Sequence, residues 1–217
     1  MRTRFYQFKN KYIYKAALVV SKIICDVYGR IDITGYENIP EGPYIIAGNH
    51  VSYLDPFAMA FFTEDEISVV ARDTLMSNVF SKILLTNMNA IPIKRGDSGN
   101  LGVFRLLLGH IKAGRSVLIF PEGTRSADGS LLPGKAGVGL LAMKAGVPIL
   151  PIRSWGFEEI LPRSNKLNSG RIVMRIGKPI QLKDIDPGKN ASDRAQQIVD
   201  AIMANIAKIE KPTINEL

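Results

Sequence analysis

Tyr44-Ile45-Ile46-Ala47 runs into Gly48-Asn49-His50-Val51-Ser52-Tyr53-Leu54-Asp55 and then Pro56. The apolar run reads as a buried strand and the polar stretch as a loop. Asp55-Pro56 reads as a helix start over 56–62, with the carboxylate at the cap and proline at the first position. The same order recurs about seventy residues on. Ser116-Val117-Leu118-Ile119 is a second apolar run, and Phe120-Pro121-Glu122-Gly123-Thr124-Arg125-Ser126 follows it. Residues 135–144 then have helical spacing and stop at Gly146. Strand, charged loop and helix, twice over, predict an α/β domain whose chemistry sits in loops at strand ends.

The flanking sequence extends this pattern. Strands are predicted at 30–34, 67–71, 90–93, 148–152 and 171–176, the last suited to a sheet edge. Helices are predicted at 78–86 and 101–112, the second ending before Gly114. Ser192 is placed to cap a final helix whose apolar face is Ala195, Ile198, Val199, Ile202, Ile206 and Ile209. No internal repeat, low-complexity tract or interdomain linker interrupts the 217 residues, so the expectation is one domain over 31–217 with an appendage at 1–30.

The appendage carries most of the charge. Of a net +8, residues 1–30 supply +6, with seven basic side chains against Asp26 alone. A basic end on a nearly balanced body points to an anionic surface. Nucleic acid is the rival partner, but no nucleic-acid motif or aromatic-basic interleaving follows. Lys15 and Lys22 break the apolar stretch, which excludes a signal peptide or a membrane span of ordinary length. On a helical wheel Lys11, Lys15, Lys22 and Asp26 fall within about 60° of one another. The rest of the surface is apolar, including Tyr12, Ile13, Leu18, Val19, Val20, Ile23, Ile24 and Val27. Two readings fit this wide face, a helix lying in a membrane interface and a helix docked on the protein's own core. The single cysteine, Cys25, excludes an internal disulfide and suits a reducing compartment.

His50 is the candidate base, because a neutral imidazole, with an ordinary pKa of about 6.5, can take a hydroxyl proton at neutral pH. Asp55, five residues on, can return to the ring and fix its tautomer. Arg125 is a fork of donors suited to a phosphate monoester, and Gly123 lets backbone approach a ligand. Glu122 can bind an acceptor hydroxyl or orient Arg125. His110, on a helix flank with no motif near it, reads as structural.

His-x4-Asp followed by Phe-Pro-Glu-Gly-Thr-Arg resembles the glycerolipid acyltransferases, in particular the 1-acylglycerol-3-phosphate acyltransferase branch. Ala90-Ile91-Pro92-Ile93-Lys94-Arg95-Gly96 and Val147-Pro148-Ile149-Leu150-Pro151-Ile152 resemble two further blocks of that family, in the expected order. The resemblance implies a single acyltransferase-like domain with a central mixed sheet flanked by helices, preceded by the amphipathic helix. It implies transfer of a fatty acyl group from acyl-CoA or acyl carrier protein to a lysophospholipid, most simply 1-acylglycerol 3-phosphate, in phospholipid biosynthesis. His50 and Asp55 then form the catalytic pair. Glu122, Gly123, Thr124, Arg125, Arg95 and, more remotely, Arg72 form the substrate site. The family needs no metal or redox cofactor and works at the cytoplasmic face of a membrane as a peripheral or monotopic protein. Lys94 departs from the acidic residue common there in relatives, which bears on the headgroup. Other acceptors, such as glycerol 3-phosphate, and a non-catalytic lipid-binding role remain as alternatives.

Three near-motifs fail on their details. In Gly129-Ser130-Leu131-Leu132-Pro133-Gly134-Lys135-Ala136 an alanine replaces the metal-binding hydroxyl of a Walker loop, and Pro133 removes a backbone donor. Gly137-Val138-Gly139-Leu140-Leu141-Ala142 lacks the preceding strand of a dinucleotide site. Gly96-Asp97-Ser98-Gly99 is not a nucleophile elbow. Two histidines and one cysteine do not point to zinc.

Overall fold

Each predicted apolar run becomes a strand of one sheet in the computed structural model. The structure describes residues 11–59, 62, 67–77, 79, 82, 85–86, 89–93, 101–161 and 168–213. The strands are β1 (Gly29–Thr34), β2 (Ile45–Gly48), β3 (Ile67–Arg72), β4 (Ala90–Ile93), β5 (Ser116–Ile119), β6 (Ile149–Trp155) and β7 (Gly170–Ile176). They lie in the order β1-β7-β6-β2-β5-β3-β4. Every neighbouring pair is parallel except β6 with β7. The α/β class with a central mixed sheet is as the sequence predicts.

Alternation along the strands separates two cores, because successive side chains point to opposite faces. Ile46, Leu118, Leu150, Ile152 and Met174 face one way, against Met59, Phe157 and Ile160. Ile45, Ala47, Val117, Ile119 and Ile149 face the other way, against Leu107, Leu141, Ile198 and Ile202. Ile45 and Ile46 are fully buried on opposite faces. Each contributes roughly 1.5–3 kcal/mol of burial, so β2 is held from both sides as a strand in the middle of a parallel region should be.

The helices are α1 (Lys11–Tyr28), α2 (Asp55–Ala58), α3 (Leu101–Lys112), α4 (Ala136–Ala145), α5 (Phe157–Ile160), α6 (Leu182–Ile185) and α7 (Arg194–Ala207). α4 and α7 pack closely at Gly139, where an added Cβ would sit 1.9 Å from the Ala195 carbonyl oxygen. α1 is anchored by Tyr14, which is buried and whose hydroxyl accepts the Ile67 N–H at 3.2 Å. Its outer side exposes Tyr12, Ala16, Val19, Ile23 and Val27. These five fall within about 80° of helix arc, beside the exposed Lys15 and Lys22. Tyr14 docks the helix on the domain, and the outer stripe leaves apolar surface in solvent. The side chains of Lys11, Val20, Ile24 and Cys25 lie outside the described residues. No helix among the described residues is long and apolar enough to cross a membrane.

Several expectations are corrected. β7 is an interior strand, between β1 and β6, rather than an edge. β6 continues to Trp155, because β7 pairs with its second half from Ile152 to Trp155. The final helix is not capped by Ser192. Its N-cap is Asp193, in the left-handed region at φ 50° and without a side-chain cap bond. The helix expected at 56–62 runs only from Asp55 to Ala58 as described. Of the helix expected at 78–86, Val79, Lys82, Leu85 and Thr86 are helical, and the other residues lie outside those described.

Candidate active site

β2 and β5 are adjacent and parallel, in the register Ile45↔Val117, Ile46↔Leu118 and Ala47↔Ile119. Parallel neighbours deliver the loops after them to the same end of the sheet. The His50 loop and the Glu122 loop therefore meet, although their key residues are 72 positions apart. Ser126 N–H donates to the His50 carbonyl at 2.7 Å, and His50 N–H donates to Glu122 Oε1 at 3.1 Å. The His50 ring stacks on Phe120, with centroids 4.1 Å apart and an interplanar angle of 17°.

The His50 loop is shaped by Asp55. Its Oδ2 lies 2.8 Å from His50 Nδ1 and accepts the N–H groups of Val51 at 2.7 Å and Ser52 at 2.8 Å. The hydrogen bonds described for this carboxylate come from residues upstream of it, so it closes the preceding turn. That differs from the helix-capping geometry expected from the sequence. Three donors converge on Oδ2, while Oδ1 is buried with no hydrogen-bond partner. With a carboxylate at Nδ1, that nitrogen carries the proton and Nε2 presents its lone pair. The His50 side chain is 19% exposed against 0% for Asp55, so the pair reaches the surface through the imidazole alone.

Asn49 holds the root of this loop. Its Oδ1 accepts from Ser154 N–H at 2.8 Å, and its Nδ2 donates to the Ser154 carbonyl at 3.0 Å. Both residues are buried. The amide thus continues the β2–β6 ladder beyond its last backbone rung, Gly48↔Ile152.

Glu122 is 2% exposed, and its Oε2 has no hydrogen-bond partner. Burial, opposed by the backbone donors of His50 and Leu132 and reinforced by the nearby Asp55 charge, pushes its carboxyl from 4.5 up to about 7. Gly123 follows at φ +64°, and a Cβ there would lie 2.8 Å from Lys135 Nζ. Lys135, from the failed Walker-like segment, therefore lies across this loop, tied by its N–H to the Pro121 carbonyl at 2.9 Å. Thr124 is exposed and Arg125 half-buried. The Arg125 guanidinium carbon stands 3.6 Å from the centroid of the Tyr53 ring.

The structure thus brings His50, Asp55, Glu122, Gly123, Thr124 and Arg125 to one place. Arg72 ends β3 and is exposed at the same sheet end. It lies about 10 Å along the sheet from β2, beyond β5, at two strand spacings. Arg95 lies outside the described residues. Sequence reasoning missed Asn49, Tyr53, Phe120 and Lys135. The first three lie inside or beside the motifs already singled out, which was the available signal. Lys135 is twelve residues past Gly123 and carried none. His110 is buried, with Nδ1 at 2.5 Å from the Ser68 hydroxyl. A cleft of about 490 Å³ between β1, β7 and the chain after α7 is lined by Arg175, Lys178 and Lys208, and contains none of these motif residues.

The sequence pattern of the Acyltransferase family matches residues 30–155. A chloroplastic 1-acyl-sn-glycerol-3-phosphate acyltransferase of Brassica napus is 31% identical over 181 residues, covering 81% of this chain and 52% of that protein. The 1-acyl-sn-glycerol-3-phosphate acyltransferase of Pseudomonas aeruginosa is 30% identical over 201 residues, covering 90% and 76%. The crystal structure of the 1-acyl-sn-glycerophosphate acyltransferase of Thermotoga maritima superposes with a TM-score of 0.72 at 25% identity, covering 94% of this chain and 82% of that one. The chain spans about half the length of the plant relatives it matches.

Proposed function

The chain belongs to the acyltransferase family, in its 1-acylglycerol-3-phosphate acyltransferase branch, and on that premise we propose that it acylates the free hydroxyl of 1-acylglycerol 3-phosphate. The donor is a fatty acyl thioester, carried on coenzyme A or acyl carrier protein, and the products are phosphatidic acid and the free thiol. The observation that carries this reading is the 2.8 Å contact of His50 Nδ1 with Asp55 in a loop hydrogen-bonded to the Glu122–Arg125 loop.

His50 Nε2 takes the proton of the acceptor hydroxyl as its oxygen attacks the thioester carbonyl carbon. Asp55 stabilises the imidazolium so formed, and the imidazolium returns the proton to the departing thiolate as the carbon–sulfur bond breaks. No acyl-enzyme is required. Arg125 grips the acceptor phosphate, with Arg95 as a second contact and Arg72 as a more distant one. Gly123 and Thr124 line the approach, and Glu122 fixes the floor beneath them. Residues 1–30 form a membrane-associating segment, and 31–217 the catalytic domain. The exposed outer stripe of α1 supports the reading of a peripheral or monotopic protein that works at the cytoplasmic face of a membrane.

The test is turnover on a panel of 1-acylglycerol 3-phosphate, glycerol 3-phosphate and lysophospholipids with larger headgroups, each with both carrier thioesters. Preference for 1-acylglycerol 3-phosphate is expected. Preference for glycerol 3-phosphate would reassign the acceptor. Binding of all acceptors without thiol release would make this a lipid-binding relative.

A further inference from the structure

We propose that Tyr53 positions Arg125, and that it thereby helps decide which phosphate-bearing acceptor the site takes. This rests on the reading of Arg125 as the phosphate fork. The guanidinium carbon lies 3.6 Å from the Tyr53 ring centroid, a separation at which the cation contacts the ring face. A ring contacts the flat face of a guanidinium and leaves the in-plane N–H donors, the groups by which a guanidinium binds phosphate, out of that contact. Tyr53 is 42% exposed, so its ring is not there to fill a core.

The backbone around Tyr53 is held by the group that orients the base. Asp55 Oδ2 accepts from Val51 and Ser52 N–H as well as lying against His50 Nδ1. Leu54 N–H donates to the Ser52 hydroxyl oxygen at 3.3 Å, and that hydroxyl donates to the Leu161 carbonyl at 3.1 Å. His50 and the ring beneath Arg125 are therefore parts of one braced loop. The distance between proton acceptor and phosphate fork is set by that loop together with the Glu122–Arg125 loop hydrogen-bonded to it. An acceptor must span the distance with its hydroxyl at one end and its phosphate at the other. A monoester offers the fork a doubly charged, unblocked phosphate. A diester headgroup offers less charge and one fewer free oxygen, so an accurately aimed fork favours the monoester.

The experiment compares the full chain on anionic vesicles with Tyr53→Phe, Tyr53→Leu, Arg125→Lys and the Tyr53→Leu/Arg125→Lys double variant. It reads KM for acceptor and donor separately, the ratio of monoester to diester turnover, and melting temperature. Tyr53→Leu is expected to raise the acceptor KM about fivefold, the loss that an exposed cation–π contact implies, and to lower the monoester preference. Donor KM and melting temperature stay put. Tyr53→Phe keeps the ring and brings the acceptor KM back to within about twofold. In the Arg125→Lys background the leucine substitution adds less than about twofold, because the two residues act as one unit. An equal effect of Tyr53→Leu in both backgrounds, or an effect on donor KM alone, overturns the proposal while the acyltransferase reading stands. If the unaltered protein turns over no phosphate-bearing acceptor, the reading of the site fails and this proposal fails with it.

Discussion

His50 is constrained at three points: Asp55 at Nδ1, Phe120 beneath the ring, and Glu122 and Ser126 on its backbone. None of the backbone contacts needs the imidazole, so His50→Ala should fold normally. Its turnover should fall by on the order of 10²–10⁴, the usual loss with a general base, read beside an unchanged melting temperature. Asp55→Asn should behave differently, because Oδ2 also closes the turn through Val51 and Ser52. Rate and stability should fall together, by about 2 kcal/mol for the stability, since hydrogen bonds to a buried charge are the costly ones to lose. Glu122 gives a pH dependence of definite sign. Its carboxyl titrates at about 7 when folded and near 4.5 when not. Between those values the folded state binds more protons than the unfolded state, so stability falls as pH rises from about 4.5 to about 7, by up to ~3 kcal/mol, and is level above that window. Glu122→Gln keeps an acceptor for the His50 N–H and never ionises. Its melting temperature should exceed that of the unaltered protein at pH 8 and converge with it near pH 5. Parallel curves across that range would show that Glu122 titrates normally.

Elements meet where side chains allow it, and two helical glycines separate packing from propensity. Gly139 lets α4 approach the Ala195 carbonyl of α7, so Gly139→Ala should destabilise by ~3 kcal/mol through overpacking. Gly109, within α3, has nothing within 4 Å of a new Cβ. Gly109→Ala should stabilise by up to ~1 kcal/mol, the helix-propensity gain. Chemical denaturation of the two variants checks both signs. The elements themselves were legible in the sequence, since 44–47 and 117–119 are unbroken apolar runs and 101–112 has clear helical spacing. Much of the candidate site was legible too, because His50, Asp55 and the Glu122–Arg125 loop lie beside strand ends. Sheet order was not. Nothing local in 170–176 distinguishes an interior strand from an edge, because β1 and β6 supply its neighbours from distant segments. Nor was the direction of Asp55, where the upstream N–H groups of Val51 and Ser52 took the carboxylate that a local rule assigns to the following helix. Tyr53 lies inside the His50–Asp55 motif, but its partner Arg125 comes from another loop, and Lys135 reaches the site across a turn; such contacts leave no mark in local sequence.

At the scale of the molecule, α1 joins exposed apolar surface to a net charge of +2, from Lys11, Lys15 and Lys22 against Asp26, within a more basic segment. Residues 1–30 hold +6 of the net +8, and the exposed Tyr12, Val19, Ile23 and Val27 are 80%, 57%, 55% and 68% accessible. Removing the segment would be a poor test of membrane docking, because buried Tyr14 also covers the domain and accepts from Ile67. The sharper variant is the triple Val19→Ser, Ile23→Ser, Val27→Ser, which alters only the outer stripe and leaves Tyr14 in place. Burying a Val or Ile side chain contributes roughly 1.5–3 kcal/mol, so even partial insertion of three of them should make vesicle binding at least about 100-fold weaker in the variant. Lys15 and Lys22 sit beside the stripe, Lys22 paired with Asp26 at 2.5 Å, so Lys15 supplies most of their attraction to an anionic surface, about 1 kcal/mol. Added salt should therefore weaken the unaltered protein only in part, and the triple variant almost completely. Co-sedimentation with anionic and neutral vesicles at low and high salt reads both terms, with melting temperature as the control for folding. The variant should keep its turnover of acceptor dispersed in detergent while losing turnover of acceptor held in vesicles. Unchanged sedimentation would move the membrane contact to another surface and leave α1 as a strut packed on the sheet.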